Sequence, residues 1–402
     1  MTTFPLPMNG ATTNAKDLPF AANEELFIVA GEASGDLIGS LLVKSLRREL
    51  PKLPIVGVGG PLMTQAGMVP VGYYDKLQVM GVWEVIKNLP TILKTLQHVT
   101  DEILLRQPKA VIFVDFPGFN LKLAKKLRQK GYRGKLFQFV SPSVWAWKKW
   151  RTKTLVDTLD ILFSIFPFEK KHFEKTPLQV EYVGHPLQEI LQQVPYDPQF
   201  EEQFGIDPER PLLAVFPGSR KGELKRHLPL LVPILEKFVS LHPEYQIAFS
   251  VGNEAFSNLI KKQLPSHLKA ALVPSSHTYD LMKRANIALA KSGTVTLELA
   301  WHQVPTAVFY ALSPVDHFLA KWLFNLDLPH YCMVNILSHK TVYPEWIKEG
   351  LPIDKVVASL EELAGPKNGE VKKMCEAVWN DLSAPGYLPP TQLAAKKIRQ
   401  AL

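Results

Sequence analysis

LFIVAGEASGDLIGSLLVKSLRREL, residues 26–50, decides the fold. A short apolar run, Leu26 to Ala30, suits a buried strand. It breaks into a turn built from Gly, Ser and Asp, and Leu37, Leu41, Leu42 and Leu46 then recur at the spacing of one helix face. Strand, tight loop and helix in that order form the opening half of a βαβ unit, which requires a parallel neighbour strand.

The alternation continues outward from this segment. PIVGVGG, AVIFVDFPGFN, KLFQFVSPSVWAW and ILFSIFPFE each carry an apolar run ending in Gly, Pro or polar residues, and NLKLAKKLRQKG has helical periodicity. Near 184–211 the texture changes to a proline-rich stretch with no long apolar run after Leu191, which marks a domain boundary. The pattern then restarts in LLAVFPGSRKGELKRHLPLLVPIL and runs through QIAFSVG, KAALVPSS, IALAKSGTVTLELAWHQ and PTAVFYAL. VKKMCEAVWNDL and TQLAAKKIRQAL close the chain as helices. The expectation is an α/β protein with two doubly wound, Rossmann-like domains facing across a cleft. Its segments are a loose tail (1–24), an N-terminal domain (25–190), a C-terminal domain (191–375) and C-terminal helices (376–402) packing back on the first domain.

Composition excludes several classes. With 46% hydrophobic and 21% charged residues in 402, the chain is globular and long enough for two cores. Its net charge of +8 favours anionic partners. Two distant cysteines, Cys332 and Cys375, imply neither a disulfide framework nor a zinc site and fit a reducing cytoplasm. The histidines lack metal-ligand spacing, so no metal is expected. The first two dozen residues do not read as a signal peptide, and no uncharged apolar run approaches 20 residues, so any membrane contact is from one side.

Two loops in the second half suit an anion. In FPGSRKGELKRH, Gly218 and Ser219 turn the chain into a helix whose N–H groups, with Arg220 and neighbouring cations, could receive a diphosphate. In KSGTVTLELA, Ser292, Gly293 and Thr294 form a second strand-to-helix loop, and Glu298 one turn on could accept from ribose hydroxyls. Together they fit a nucleoside diphosphate, although each taken singly also reads as an ordinary helix start. In the first half, GEASGD lacks dinucleotide glycine spacing. Its Glu32, Ser34 and Asp36 suit sugar hydroxyls and amides, or Ser34 and Asp36 simply cap a helix. Asp115 ends an apolar strand in VDFPGFN, where it could take a proton from an attacking hydroxyl or bond the turn's own N–H groups. Asn120 lies on the acceptor side of this reading or caps the next helix.

MGVWEVIKNLPTILKTLQ (80–97) carries an apolar face that includes Val82, Val85, Ile86 and Leu89, with Trp83 beside it, and Pro90 predicts a kink. The face is either core or a membrane and acyl-chain contact. SPSVWAWKKWRTK interleaves Trp145, Trp147 and Trp150 with Lys and Arg, like an interfacial belt over anionic headgroups. Stacking on bases is the alternative, but no nucleic-acid motif accompanies it, and no nucleic-acid partner is expected.

AGEASGD, the glycines before Pro61, MGVWEV, VDFPGFN, VSPSVWAW, VGHPL, FPGSRKGEL and KSGTVTLE occur in the order found in lipid-A-disaccharide synthases, and from Leu26 to Leu363 the chain resembles that family. The resemblance implies a GT-B glycosyltransferase fold with an inverting, metal-independent and cofactor-free mechanism. It implies UDP-2,3-diacylglucosamine as donor and 2,3-diacylglucosamine 1-phosphate as acceptor, on the inner face of the cytoplasmic membrane. Carried over by position, Asp115 matches the family's candidate base and Arg220 the important arginine of the GSR loop. Ser292–Thr294, Glu298 and Asn335 match the UDP site. Asn335 follows Val334, where the family more often has proline. Pairing of the chain with itself stays open. The competing readings are another GT-B transferase on a lipid carrier, a nucleotide-sugar epimerase, and a non-catalytic lipid- or nucleotide-binding protein.

Overall fold

The computed structural model describes residues 24–77, 88–146, 150–311, 329–347 and 351–402, and these divide into two compact units. The first comprises residues up to Glu189 together with Leu382–Leu402, and the second runs from Ile190 to Asp381. The expected tail up to residue 23, Val82, Trp83, Val85, Ile86 and Trp147 lie outside the described residues.

In the first unit the strands are β1 (Leu26–Val29), β2 (Ile55–Val58), β3 (Val69–Pro70), β4 (Ala110–Val114), β5 (Lys135–Phe139), β6 (Ile161–Ser164) and β7 (Gln179–Tyr182). They lie in the order β3-β2-β1-β4-β5-β6-β7, every pairing parallel. The second unit has β8 (Leu212–Phe216), β9 (Gln246–Val251), β10 (Ala270–Pro274), β11 (Ile287–Lys291), β12 (Thr306–Phe309) and β13 (Glu345–Trp346). Their order, β10-β9-β8-β11-β12-β13, repeats the winding of the first sheet, again all parallel. The central strands are buried on both faces, which is why β1, β4 and β8 read as unbroken apolar runs.

Each sheet reverses its winding beside its first strand, between β1 and β4 and between β8 and β11. In open parallel sheets the crevice outside the strand ends at such a reversal takes the ligand. The loops after those four strands are the ones that hold Glu32–Asp36, Asp115–Asn120, Gly218–Arg220 and Ser292–Thr294.

Three details differ from the sequence reading. Helix Ala33–Glu49 buries Gly39, Leu42, Val43 and Leu46, while Leu37 is exposed, because the inward stripe tracks the sheet rather than every leucine. Pro90 sits in the first turn of helix Leu89–Arg106, where its missing N–H costs nothing, so it starts this helix instead of kinking it. Finally, helix Asn368–Asp381 stays whole in the second unit, where the reading had drawn a boundary after Cys375. Cys375 and Val378 are buried there, and Trp379 donates its indole N–H to the Leu297 carbonyl at 3.1 Å. The chain returns to the first unit from Leu382 onward, and its α-helix there is Pro390–Ala401. This helix packs on helix Ala33–Glu49 through Ala394, Ala395 and Ile398. Thr391 is tied to Ser45 at 2.8 Å and to both carboxylate oxygens of Glu189. Cys332 and Cys375 are free and buried.

Candidate active site

At the reversal of the first sheet, the chain leaves β4 through two consecutive left-handed residues, Asp115 (φ 46°) and Phe116 (φ 47°). Non-glycine residues adopt this conformation at a cost of about 1–3 kcal/mol each and keep it only when their surroundings impose it. Here two fully buried carboxamides do so. Asn120 Nδ2 donates to the Asp115 carbonyl at 2.8 Å, and Gln138 Nε2, from β5, donates to the same oxygen at 3.1 Å. The Asp115 N–H is fixed to Phe139 O at 2.9 Å. The Phe116 ring lies where a Cβ on Gly31 would stand, 2.3 Å from its nearest carbon, so the close approach of the β1 loop requires glycine there. With its backbone held this way, the half-buried Asp115 carboxyl has its proton affinity raised by desolvation, partly offset by the N–H of Phe116.

A cavity of about 170 Å³ opens beside Asp115, lined among others by Val140, Ser141, Ser143, Arg151 and Phe166. Val140 at its edge is a β-branched residue at φ 71°, a third strained position around the same opening. Behind the lining, Glu169 is 1% exposed and accepts the N–H groups of Ile165 and Phe166, both at 3.2 Å. Burial pushes its carboxyl up to about 8 against those bonds. His185, tilted against Phe166 at 5.2 Å, accepts the Leu187 N–H on Nδ1, and burial lowers it to about 4. Near neutral pH both are therefore uncharged.

The structure corrects several expectations for this half. Asp36 is 3% exposed and accepts the N–H groups of Leu62 and Met63, each at 3.0 Å, so it caps helix Pro61–Gln65 and is not presented to a ligand. Asn120, 0% exposed, donates back to the Asp115 carbonyl and is not presented to a ligand. Glu32 at the helix N-cap and Ser34 in the first turn remain at the end of β1, the first half-buried and the second exposed. Trp145 is half-buried, its ring edge-to-face with Phe168 at 4.8 Å between centres, so this tryptophan is not fully presented to a surface. Trp150 is exposed, with the Arg151 guanidinium 5.6 Å from its ring centre. Leu89 and Leu93 are also exposed.

At the reversal of the second sheet, β8 ends in a turn through Gly218 at φ 120°. Glu223, on the following helix Lys221–Leu241, fills the concavity of that turn. A Cβ on Gly218 would stand 2.7 Å from its Oε2. Glu223 accepts the Ser219 N–H at 3.1 Å and faces Arg220 at 3.7 Å and Lys291 at 3.4 Å. Buried His227 holds the turn from behind, donating Nδ1–H to the Pro217 carbonyl at 2.7 Å. Ser219 and Arg220 are exposed, as are Gly293 and Thr294 on the adjacent loop, where the Ser292 N–H is bonded to Phe309 O. Half-buried Glu298 receives the Tyr279 hydroxyl at 3.2 Å, and desolvation raises its carboxyl despite that bond.

Asn335 does not reach this site. It is 0% exposed and fully spent on its own loop: Nδ2 donates to Tyr343 O (2.7 Å) and Glu345 Oε1 (2.6 Å), while Oδ1 accepts from Val342 and Tyr343. Sequence reasoning missed Gln138, Glu169, His185, Glu223 and Lys291. Gln138 had a signal, a lone amide inside the apolar run LFQFV, which is costly unless bonded.

Comparison with known proteins places these features. The fold matches the UDP co-structure of S. aureus MnaA (TM-score 0.59, 12% identity, 94% of each chain). It also matches the glycotransferase of kitacinnamycin (TM-score 0.60, 13% identity, 94% of this chain and 99% of that one). Two parallel doubly wound units, each with its polar loops at the sheet reversal, define the GT-B class of fold. A family model described as lipid-A-disaccharide synthetase matches residues 26–383. The lipid-A-disaccharide synthase of Geobacter sulfurreducens is 32% identical over 338 residues, 84% of this chain and 87% of that protein. That of Chlamydia muridarum is 37% identical over 380 residues, 93% of this chain. The chain spans 62% of the length of the Chlamydia relative. This chain belongs to the lipid-A-disaccharide synthetase family.

Proposed function

We propose that the protein transfers 2,3-diacylglucosamine from UDP to the 6-hydroxyl of 2,3-diacylglucosamine 1-phosphate, with inversion. The first unit takes the acceptor and the second the UDP-sugar. The observation that carries this reading is the contrast between the two sheet reversals in a chain of this family. One presents a carboxylate of raised proton affinity on a clamped backbone, the other a glycine turn with cations beside the exposed Gly293–Thr294 loop.

In the step as proposed, Asp115 accepts the proton of the acceptor hydroxyl as its oxygen attacks the anomeric carbon of the donor. The bond from that carbon to the β-phosphate oxygen breaks, and the electron pair leaves with UDP. Arg220 and the Gly293–Thr294 end of the Ser292–Thr294 loop receive the developing charge, and Glu298 takes the ribose. Metal independence is part of the proposal, since those groups supply the stabilisation, and EDTA is expected to leave turnover unchanged. The acylated substrates lie in a membrane surface, which the exposed Leu89, Leu93 and Trp150 with the neighbouring Arg151 would enter from one side. No helix among the described residues is long and apolar enough to cross a membrane.

The test is incubation of the purified protein with acylated UDP-glucosamine and acylated glucosamine 1-phosphate in mixed micelles. Disaccharide and UDP are expected in equal amounts. Consumption of the donor without the acceptor, or isomerisation of its sugar, would replace this reading with hydrolase or epimerase chemistry.

A further inference from the structure

Lys291, the last residue of β11, is a cation no sequence signal singled out. Its Nζ lies 3.4 Å from Glu223 Oε1 and 5.0 Å from the centre of the Tyr310 ring. It also lies 3.7 Å from where a Cβ on Gly293 would stand. The ammonium therefore occupies the seam between the β8 loop and the β11 loop, at the reversal of the second sheet. Its side chain is 21% exposed, against 65% for that of Arg220. Glu223 is the common anchor. One buried carboxylate accepts a backbone N–H of one loop and faces a cation from each.

A carboxylate 4% exposed is stable only when paired. The arrangement here has more cations than its pairing needs, since Arg220 and Lys291 share a single acid. The surplus positive charge sits where both loops leave the sheet. An exposed arginine on a long stem has to be ordered when a ligand arrives, whereas a lysine already held by an acid and an aromatic face loses less freedom.

We propose that Lys291 is a second phosphate-binding cation of the nucleotide site, and that Glu223 is the positioning residue that presets it and Arg220. This rests on the nucleotide reading above and deepens it. The ligand class is a nucleoside diphosphate, with the contact made to the phosphates and none to the base.

The experiment is calorimetric titration of UDP and of uridine into the intact protein and its Lys291→Met, Lys291→Arg and Glu223→Gln variants, with thermal melts of each. Lys291→Met is expected to weaken UDP about tenfold and leave uridine unchanged, and Lys291→Arg to recover most of the loss. Glu223→Gln is expected to weaken UDP as well, although it makes the site more positive. Unchanged UDP affinity in Lys291→Met, with only a lower melting temperature, would reduce the lysine to a structural ion pair and overturn the proposal. Tighter UDP binding by Glu223→Gln would mean the acid merely neutralises its neighbours, and would overturn its positioning role. Failure of the unaltered protein to bind UDP would remove the nucleotide reading itself, a different result from equal binding by protein and variant.

Discussion

Where β4 ends, the chain turns through two left-handed residues that both carry side chains, and two buried amides clamp the carbonyl between them. Where β8 ends, at the equivalent place in a sheet of the same winding, the turn is made by Gly218, and the groups around it are charged. The first loop stores strain and spends fully buried hydrogen bonds to hold the backbone that carries one carboxylate. The second meets no such penalty and arranges cations around a buried acid. A proton acceptor has to be aimed, while a multiply charged phosphate group can be met by several donors of looser geometry. The same fold thus supplies orientation at one end and potential at the other.

The largest expected effect tests the aimed carboxylate. Asp115→Asn should lower turnover by about 10²–10⁴-fold, the usual worth of a general base, with UDP affinity by calorimetry unchanged. Full turnover in that variant would break the comparison at its first limb. Next comes the clamp. Asn120→Ala leaves the Asp115 carbonyl short of a donor and opens a small void. It should destabilise the protein by about 1–3 kcal/mol in urea melts and reduce kcat more than KM. If KM rose and kcat held, Asn120 would be contacting substrate after all.

In the second unit, Gly218→Ala sets a Cβ against Glu223 at a backbone angle alanine rarely adopts. UDP affinity should fall severalfold while the pH dependence of turnover keeps its shape, because the proposed base, Asp115, is in the other loop. The smallest effect concerns pH and stability. Folded Glu169 keeps its proton up to about 8, whereas an unfolded glutamate has lost it above its ordinary value of 4.5. The native state therefore binds more protons between those values, and stability falls as pH rises through that window. Glu169→Gln should flatten the decline, a difference of a few degrees between melts at pH 5 and pH 8. An unchanged slope would mean Glu169 is ionised in the fold.

Much of this was legible before any coordinates. The strand–loop–helix punctuation is local, so the central strands and the four loops at the sheet reversals could be read directly. Edge strands were harder: Val69–Pro70, Gln179–Tyr182 and Glu345–Trp346 are short, and none is an apolar run. Among site residues, those whose role depends on a partner close in sequence were recognisable, such as Gly218 and Ser219. Those decided by distant partners were not. Nothing near Asp36 announces that it accepts the N–H of Leu62, 26 residues on, and nothing near Asn335 shows that Tyr343 and Glu345 consume its amide. Glu223 and Lys291 lie 68 residues apart and meet only because β8 and β11 are neighbours.

The return of Pro390–Ala401 to the first unit has a bearing on biosynthesis. Ser45 and Thr391 touch across 346 residues of sequence, so helix Ala33–Glu49 gains this partner only after the whole second unit has been synthesised. During translation the apolar flank of Ala33–Glu49 stands bare while the whole second unit is being made. A chain cut just before Pro390 would leave helix Ala33–Glu49 without that partner, so the loss would be felt far away in sequence but next door in space.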